Sequence, residues 1–165
     1  MEWFLKETDN KTILSAISEI AKARSLKGAK FLDFGCGENK KFKLQAEKLG
    51  AVATGVDVAF GDKIDGLTIP WKDYDVINFA WGIKDRTIKY EGGEHPFEFV
   101  FEQKAKETKG AIISVLFDHP NFWTYTNSLP TDKNLYAKIG LLKPIKPVIL
   151  HKGDVDYYQQ LFRVE

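Results

Sequence analysis

Residues 31–42, FLDFGCGENKKF, set an acid two residues ahead of a glycine pair: Asp33 precedes Gly35 and Gly37, Cys36 lies between the glycines, and lysines follow. Glycines directly after an apolar run let the backbone turn tightly and approach a ligand with no side chain in the way. A helix starting just beyond them presents free N–H groups to an anion. Asp57 stands 20 residues after Gly37, near the end of the β-branched run VATGVDV. A carboxylate there can accept hydrogen bonds from both hydroxyls of a ribose. The pair predicts a nucleotide or nucleoside cofactor. A dinucleotide fingerprint G-x-G-x-x-G would need its third glycine where the chain has Lys40, so dinucleotide binding ranks lower.

Regular elements must hold these residues in place. Ile13, Ile17, Ile20 and Ala21 recur at helical spacing after Asp9 and Asn10, either of which can cap a helix running to about Leu26. Lys30 to Phe34 reads as a short strand. Phe42, Ala46 and Leu49 mark one face of a second helix that Gly50 closes, and Val52 to Val58 as another strand. The turn-rich FGDKIDG leads to the apolar run YDVINFAW, residues 74–81. A loop with Gly92 and Gly93 then precedes a helix on which Phe97, Val100, Phe101 and Ala105 share a face. Ala111 to Phe117, AIISVLF, is a strand, and Ser128, Pro130 and Thr131 open a helix through Lys138. Pro147 to His151 and Val155 to Val164 form a terminal hairpin around Lys152-Gly153-Asp154. Alternating strands and helices predict an α/β fold with a mostly parallel sheet covered on both faces, ligands binding at the carboxyl ends of the strands.

The 165 residues suit one domain, 1–165, since domains commonly run ~100 to 200 residues. With 44% apolar and 28% charged residues the chain can bury a core and is not a disordered segment. Lys and Arg number 24 against 23 acids, so the net charge of +1 gives no field drawing the protein to nucleic acid or anionic lipid. The lone Cys36 cannot form an internal disulfide, the N-terminus lacks the pattern of a signal peptide, and no apolar run approaches the ~20 residues of a membrane helix. The expectation is a cytoplasmic protein without membrane contact. The three His and one Cys are scattered without metal-ligand spacing, so no structural metal is expected.

D-F-G-C-G-E-N together with G-V-D-V resembles the class I S-adenosylmethionine-dependent methyltransferases, whose E/D-x-G-x-G-x-G pattern falls here on Asp33, Gly35, Gly37 and Asn39. The resemblance covers most of the chain and implies a three-layer α/β/α Rossmann-like sandwich with an antiparallel C-terminal hairpin strand. It implies S-adenosyl-L-methionine as cofactor. Asp33 supports the cofactor's amino end, Gly35, Cys36, Gly37 and Asn39 line its methionyl and ribose portion, and Asp57, followed by Val58, holds the ribose hydroxyls. Asn39 takes the last glycine position, which Asn tolerates because it enters the left-handed region more readily than most residues. Only 17 residues separate Asp57 from Asp75, too few for the helix, strand and helix the family inserts there. The third strand region is thus shortened, and Asp62 and Asp65 are candidates for the adenine side.

Methyl transfer draws much of its rate from positioning, so no universal base is implied. Asn78-Phe79-Ala80-Trp81 has the spacing, without the prolines, of the N-P-P-Y/W/F element of amino-group methyltransferases. Asn78 and Trp81 are therefore catalytic-loop candidates, the bland alternatives being an Asn inside the strand and a Trp in the core or a pocket wall. His119 is either a general base or a turn residue of D-H-P-N. His95 reads as a capping-region residue, His151 as structural, Cys36 as a small residue that fits the turn. Lys40, Lys41, Lys43 and Lys48 read as the solvated face of the second helix. The acceptor would meet the loop from Lys84 to Glu94, residues 118–129 and the N-terminal helix. Tyr90, Phe122, Trp123 and Tyr125 favour a small, partly apolar acceptor. The competing readings are a cofactor-binding or interaction module of the same fold without methyl transfer, and a related enzyme such as an aminopropyl transferase.

Overall fold

A computed structural model describes residues 7–20, 26–34, 36–57, 69–79, 87–117, 142–152 and 155–165. Four short apolar runs pair in parallel: β1 (Lys30–Phe34) lies between β2 (Val52–Val56) and β3 (Val76–Phe79), and β3 pairs with β6 (Ile112–Phe117). β7 (Leu142–Lys152) and β8 (Val155–Val164) close the sheet as an antiparallel hairpin, giving the order β2-β1-β3-β6-β8-β7. This is the mostly parallel sheet with a reversed final pair expected from the sequence.

Residues of β1 are buried on both faces because helices cover both. On one face Phe31, Val76, Ile112 and Leu161 pack with Ile13, Leu14 and Ile17 of α1 (Glu7–Ile20) and Phe42 and Ala46 of α2 (Lys41–Lys48). On the other, Leu32, Ile77, Ile113 and Phe162 pack with Val100, Phe101 and Ala105 of α3 (Phe97–Ala105). Alternation of side chains along each strand sorts these two sets, and each fully buried side chain of this size contributes about 1.5–3 kcal/mol.

Residues 69–75, which lead into β3, are tied down on the α3 side. Trp71 is fully buried, its ring edge-on to Phe101 with centroids 5.5 Å apart, and its N–H donates to Glu107 Oε2 at 3.0 Å. Lys104, only 3% exposed, is neutralised by the same Glu107 carboxylate, Nζ to Oε2 being 3.1 Å. Among the described residues β2 is the outer strand on this side, and 69–75 are turn.

Several local expectations are corrected. Asp9 and Asn10 do not cap α1, which has already begun at Glu7; both are buried inside it. Leu26 is buried but not helical. Leu49 is the C-cap of α2 and 51% exposed, because the helix stops at Lys48 and swings it off the apolar face; Gln45 is buried instead. The second strand ends at Val56. Part of the Lys84–Glu94 loop is a hairpin, β4 (Thr87–Tyr90) with β5 (Gly93–Pro96). Glu91 and Gly92 both have positive φ, 49° and 79°, the two-residue turn whose twist matches paired strands. The last hairpin begins at Leu142, not Pro147; Pro144 and Pro147 are accommodated because β7 is an edge strand, with a register shift between Pro144 and Lys146. The helix expected from Ser128 to Lys138 lies outside the described residues.

Candidate cofactor site

The carboxyl ends of β1 and β2 lie side by side, and the chain just beyond β1 bonds back to the end of β2. Cys36 N–H donates to the Val56 carbonyl at 3.3 Å, carrying the pairing two residues past β1, and Gly37 N–H donates to Asp57 Oδ2 at 2.9 Å. Asp57 thereby clasps the glycine turn. Gly37 has φ 73° and nothing within 4 Å of the place a Cβ would occupy, so the turn is open on its outer side.

Left-handed backbone is needed a second time, at Lys40 with φ 49°, the N-cap of α2. Asn39, to which the sequence assigned that conformation, does not have positive φ. The turn closes one residue later because α2 starts at Lys41.

Cys36 is half-buried, its thiol over Gly55 of β2. A Cβ on Gly55 would stand 3.0 Å from Cys36 Sγ and 3.2 Å from Lys43 Cδ. Gly55→Ala is therefore expected to lower stability by roughly 1–2 kcal/mol, measured by urea denaturation; a neutral substitution would show that the turn yields freely. Lys41 and Lys48 are exposed and Lys43 pairs with Glu47, in keeping with a solvated helix face.

Asp33 is 1% exposed beneath this turn. Its Oδ1 accepts from Asn78 Nδ2 at 3.0 Å, and its Oδ2 has no hydrogen-bond partner among the described residues. Burial pushes the carboxyl up to about 7; the Asn78 bond pulls against that shift, and the Asp57 charge adds to it. An acid so placed accommodates an ammonium group, which would supply both the missing donor and the compensating charge.

Asn78 is fully buried within β3, directly opposite Asp33. Its carbonyl accepts from Gln159 Nε2 at 3.0 Å, and the same nitrogen donates to Ser114 Oγ at 2.7 Å. Sequence reasoning missed Ser114 and Gln159. A signal was present: Asn78 and Ser114 are each the one polar residue of their strands, Asp33 is the one polar residue of β1 besides the exposed Lys30 that opens it, and they stand two positions after Val76, Ile112 and Phe31.

The structure thus brings together Asp33, Cys36, Gly37 and Asp57, with Asn78 alongside; Asn39 is an exposed turn residue just beyond Gly37. Gly35, Val58, Trp81 and His119 lie outside the described residues, as do Asp62, Asp65, Phe122, Trp123 and Tyr125. His95 is in β5 and not a cap: its ring stacks on Phe99 at 4.7 Å and meets Tyr90 edge-on at 6.4 Å. At the opposite, amino ends of the strands an open groove of about 730 Å³ is lined by Lys27, Lys72, Lys109, Arg163, Asp75 and Glu107. Arg163 there donates to the carbonyls of Gly110 and Ile20. No helix among the described residues is long and apolar enough to cross a membrane.

No family model matches the sequence, and no curated protein matches it. Solved structures do. A chain of the E. cuniculi Mtq2–Trm112 complex, responsible for methylation of the eRF1 translation termination factor, aligns over 100% of both chains with 12% identity and a TM-score of 0.55. Magnesium protoporphyrin IX methyltransferase (ChlM) from Synechocystis PCC 6803, with bound SAM, aligns over 93% of this chain and 80% of its own, with 12% identity and a TM-score of 0.56. P. horikoshii TYW2 in complex with MeSAdo aligns over 98% of this chain and 64% of its own, with 13% identity and a TM-score of 0.53. The protein has the fold of the class I S-adenosylmethionine-dependent methyltransferases. At such identities the likeness settles the fold and leaves the acceptor open.

Proposed function

We propose that the protein binds S-adenosyl-L-methionine and transfers its methyl group to a small acceptor. The observation that carries this reading is the buried Asp33 carboxyl, one oxygen without a donor, beneath an open glycine turn clasped by Asp57. S-adenosylmethionine, when bound, supplies an electrophilic methyl group on a sulfonium centre. The chain's own residues bind and orient: Asp33 takes the ammonium, and Gly35, Cys36, Gly37 and Asn39 line the methionyl and ribose portion. Asp57, with Val58 beside it, takes the ribose hydroxyls. Trp81 walls the acceptor pocket, His119 serves as base if the acceptor needs one, and Asn78 acts from beneath. The aromatic cluster of Tyr90 edge-on to His95, and His95 stacked on Phe99, the last 43% exposed, supports an acceptor with apolar or aromatic surface.

Titration calorimetry with S-adenosylmethionine and its demethylated product tests the reading. Micromolar binding of both is expected, followed by methyl transfer to some member of a panel of amines, phenols and carboxylates. No binding by the wild-type chain would overturn it, and binding without turnover on any acceptor would favour a cofactor-binding module.

A further inference from the structure

Ser114 and Gln159 are both fully buried, on strands that do not carry the glycine turn. Buried polar side chains in a parallel sheet need a reason, since apolar residues fill such positions at no hydrogen-bonding cost. They extend a row that crosses four neighbouring strands on the α1 and α2 face: Asp33 on β1, Asn78 on β3, Ser114 on β6 and Gln159 on β8. The row sits two residues beyond the apolar layer of Phe31, Val76 and Ile112, between the core and the cofactor turn.

The row has a direction. An asparagine amide has a donating and an accepting end, and Asn78 rotated by half a turn would set its carbonyl oxygen against the Asp33 carboxylate. Gln159 Nε2 occupies that carbonyl at 3.0 Å, leaving only the NH2 end to face Asp33 at 3.0 Å. Gln159 is held in its turn by Ser114 Oγ, 2.7 Å from the same nitrogen. Each link orients the next.

We propose that Gln159, anchored by Ser114, is a positioning residue that fixes the Asp33 carboxylate through Asn78 and so sets how strongly the protein holds the amino end of its cofactor. The inference rests on the reading that Asp33 meets that ammonium. Because the Asn78 bond favours the ionised carboxyl, loosening Asn78 raises the pH at which Asp33 ionises. Among the described residues, charged groups on the neighbouring elements include Asp57 just past β2, Asp9 buried in α1 and Lys43 of α2, which pairs with Glu47. β3 and β6 contribute the neutral Asn78 and Ser114.

The test is calorimetric affinity for S-adenosylmethionine as a function of pH, with thermal melting in parallel, for the wild type, Gln159→Met, Ser114→Ala and Ser114→Thr. Wild-type binding should weaken as pH falls through about 7. Gln159→Met should move that midpoint up by roughly one unit, a loss of about fivefold at neutral pH that approaches about tenfold in more acid solution. Ser114→Ala should shift it the same way by less, and Ser114→Thr, which keeps the hydroxyl, should titrate as wild type. A role confined to packing lowers the melting temperature and leaves the midpoint in place; a folded Gln159→Met with the wild-type midpoint overturns the proposal. If Gln159→Met does not fold, Ser114→Ala, which deletes a single oxygen, decides on the same criterion. Wild-type protein that binds no cofactor at any pH removes the reading beneath and this inference with it.

Discussion

Asp33→Asn is expected to give a protein more stable than its parent above neutral pH and at least about a hundredfold weaker for S-adenosylmethionine. The folded carboxyl ionises near 7 against a reference value of 3.8. Between those values the unfolded chain gives up its proton while the folded chain keeps it, so stability falls as pH rises through that window and levels off above it. Three units correspond to on the order of 4 kcal/mol at most. The amide that replaces the acid keeps the Asn78 bond but leaves its own NH2 buried without an acceptor, which returns about 1–3 kcal/mol. A net gain of roughly 1–2 kcal/mol at pH 8, shrinking toward acid, is the expected result by urea denaturation. Equal stability differences at both ends of the range would mean that Asp33 does not titrate as a buried acid. The binding loss has the same origin, since a neutral amide cannot compensate an ammonium.

Asp57→Ala removes two interactions at once. Its Oδ2 holds Gly37 N–H at 2.9 Å, and in the proposed complex the carboxylate also accepts from the ribose. Hydrogen bonds to a charged group are worth about 1.5–3 kcal/mol each, so affinity should fall at least about a hundredfold. Comparing S-adenosylmethionine with a ribose-deoxygenated analogue separates the two parts: the wild type should discriminate between them and Asp57→Ala should not. Equal discrimination by both proteins would assign the ribose to another residue. Asp57→Asn keeps an oxygen for Gly37 and should lose less. It also removes the charge that raises the Asp33 carboxyl, so its binding midpoint should move to lower pH, opposite in sign to the shift expected of Gln159→Met.

What could be read from the chain itself was what a few consecutive residues encode. Gly37 after KFLDF needs positive φ, the acid at Asp57 ends a β-branched run, and the apolar sequences around Phe31, Val76 and Ile112 alternate with the two-residue period of strands. Each is a local constraint on backbone torsion or on which face is apolar. The Glu91-Gly92 turn belonged to the same class of signal, yet its flanking residues, Lys89-Tyr90 and Gly93-Glu94-His95, lack the apolar alternation that would have marked a hairpin. The start of α1 depended on packing, which buries Asp9 and Asn10 inside the helix where local preference would place them at its cap.

Tertiary structure alone decided where Asn78 sits. Its spacing to Trp81 left it either a catalytic-loop candidate or an Asn inside the strand. Strand register instead sets it opposite Asp33, 45 residues earlier, and within reach of Gln159, 81 residues later. Register is a sum of many long-range pairings, and a slip of one residue would turn the whole row to the other face. Short-range sequence therefore specified which residues are polar, glycine or β-branched, and the assembled sheet decided that four of the polar ones form a single line ending under the glycine turn.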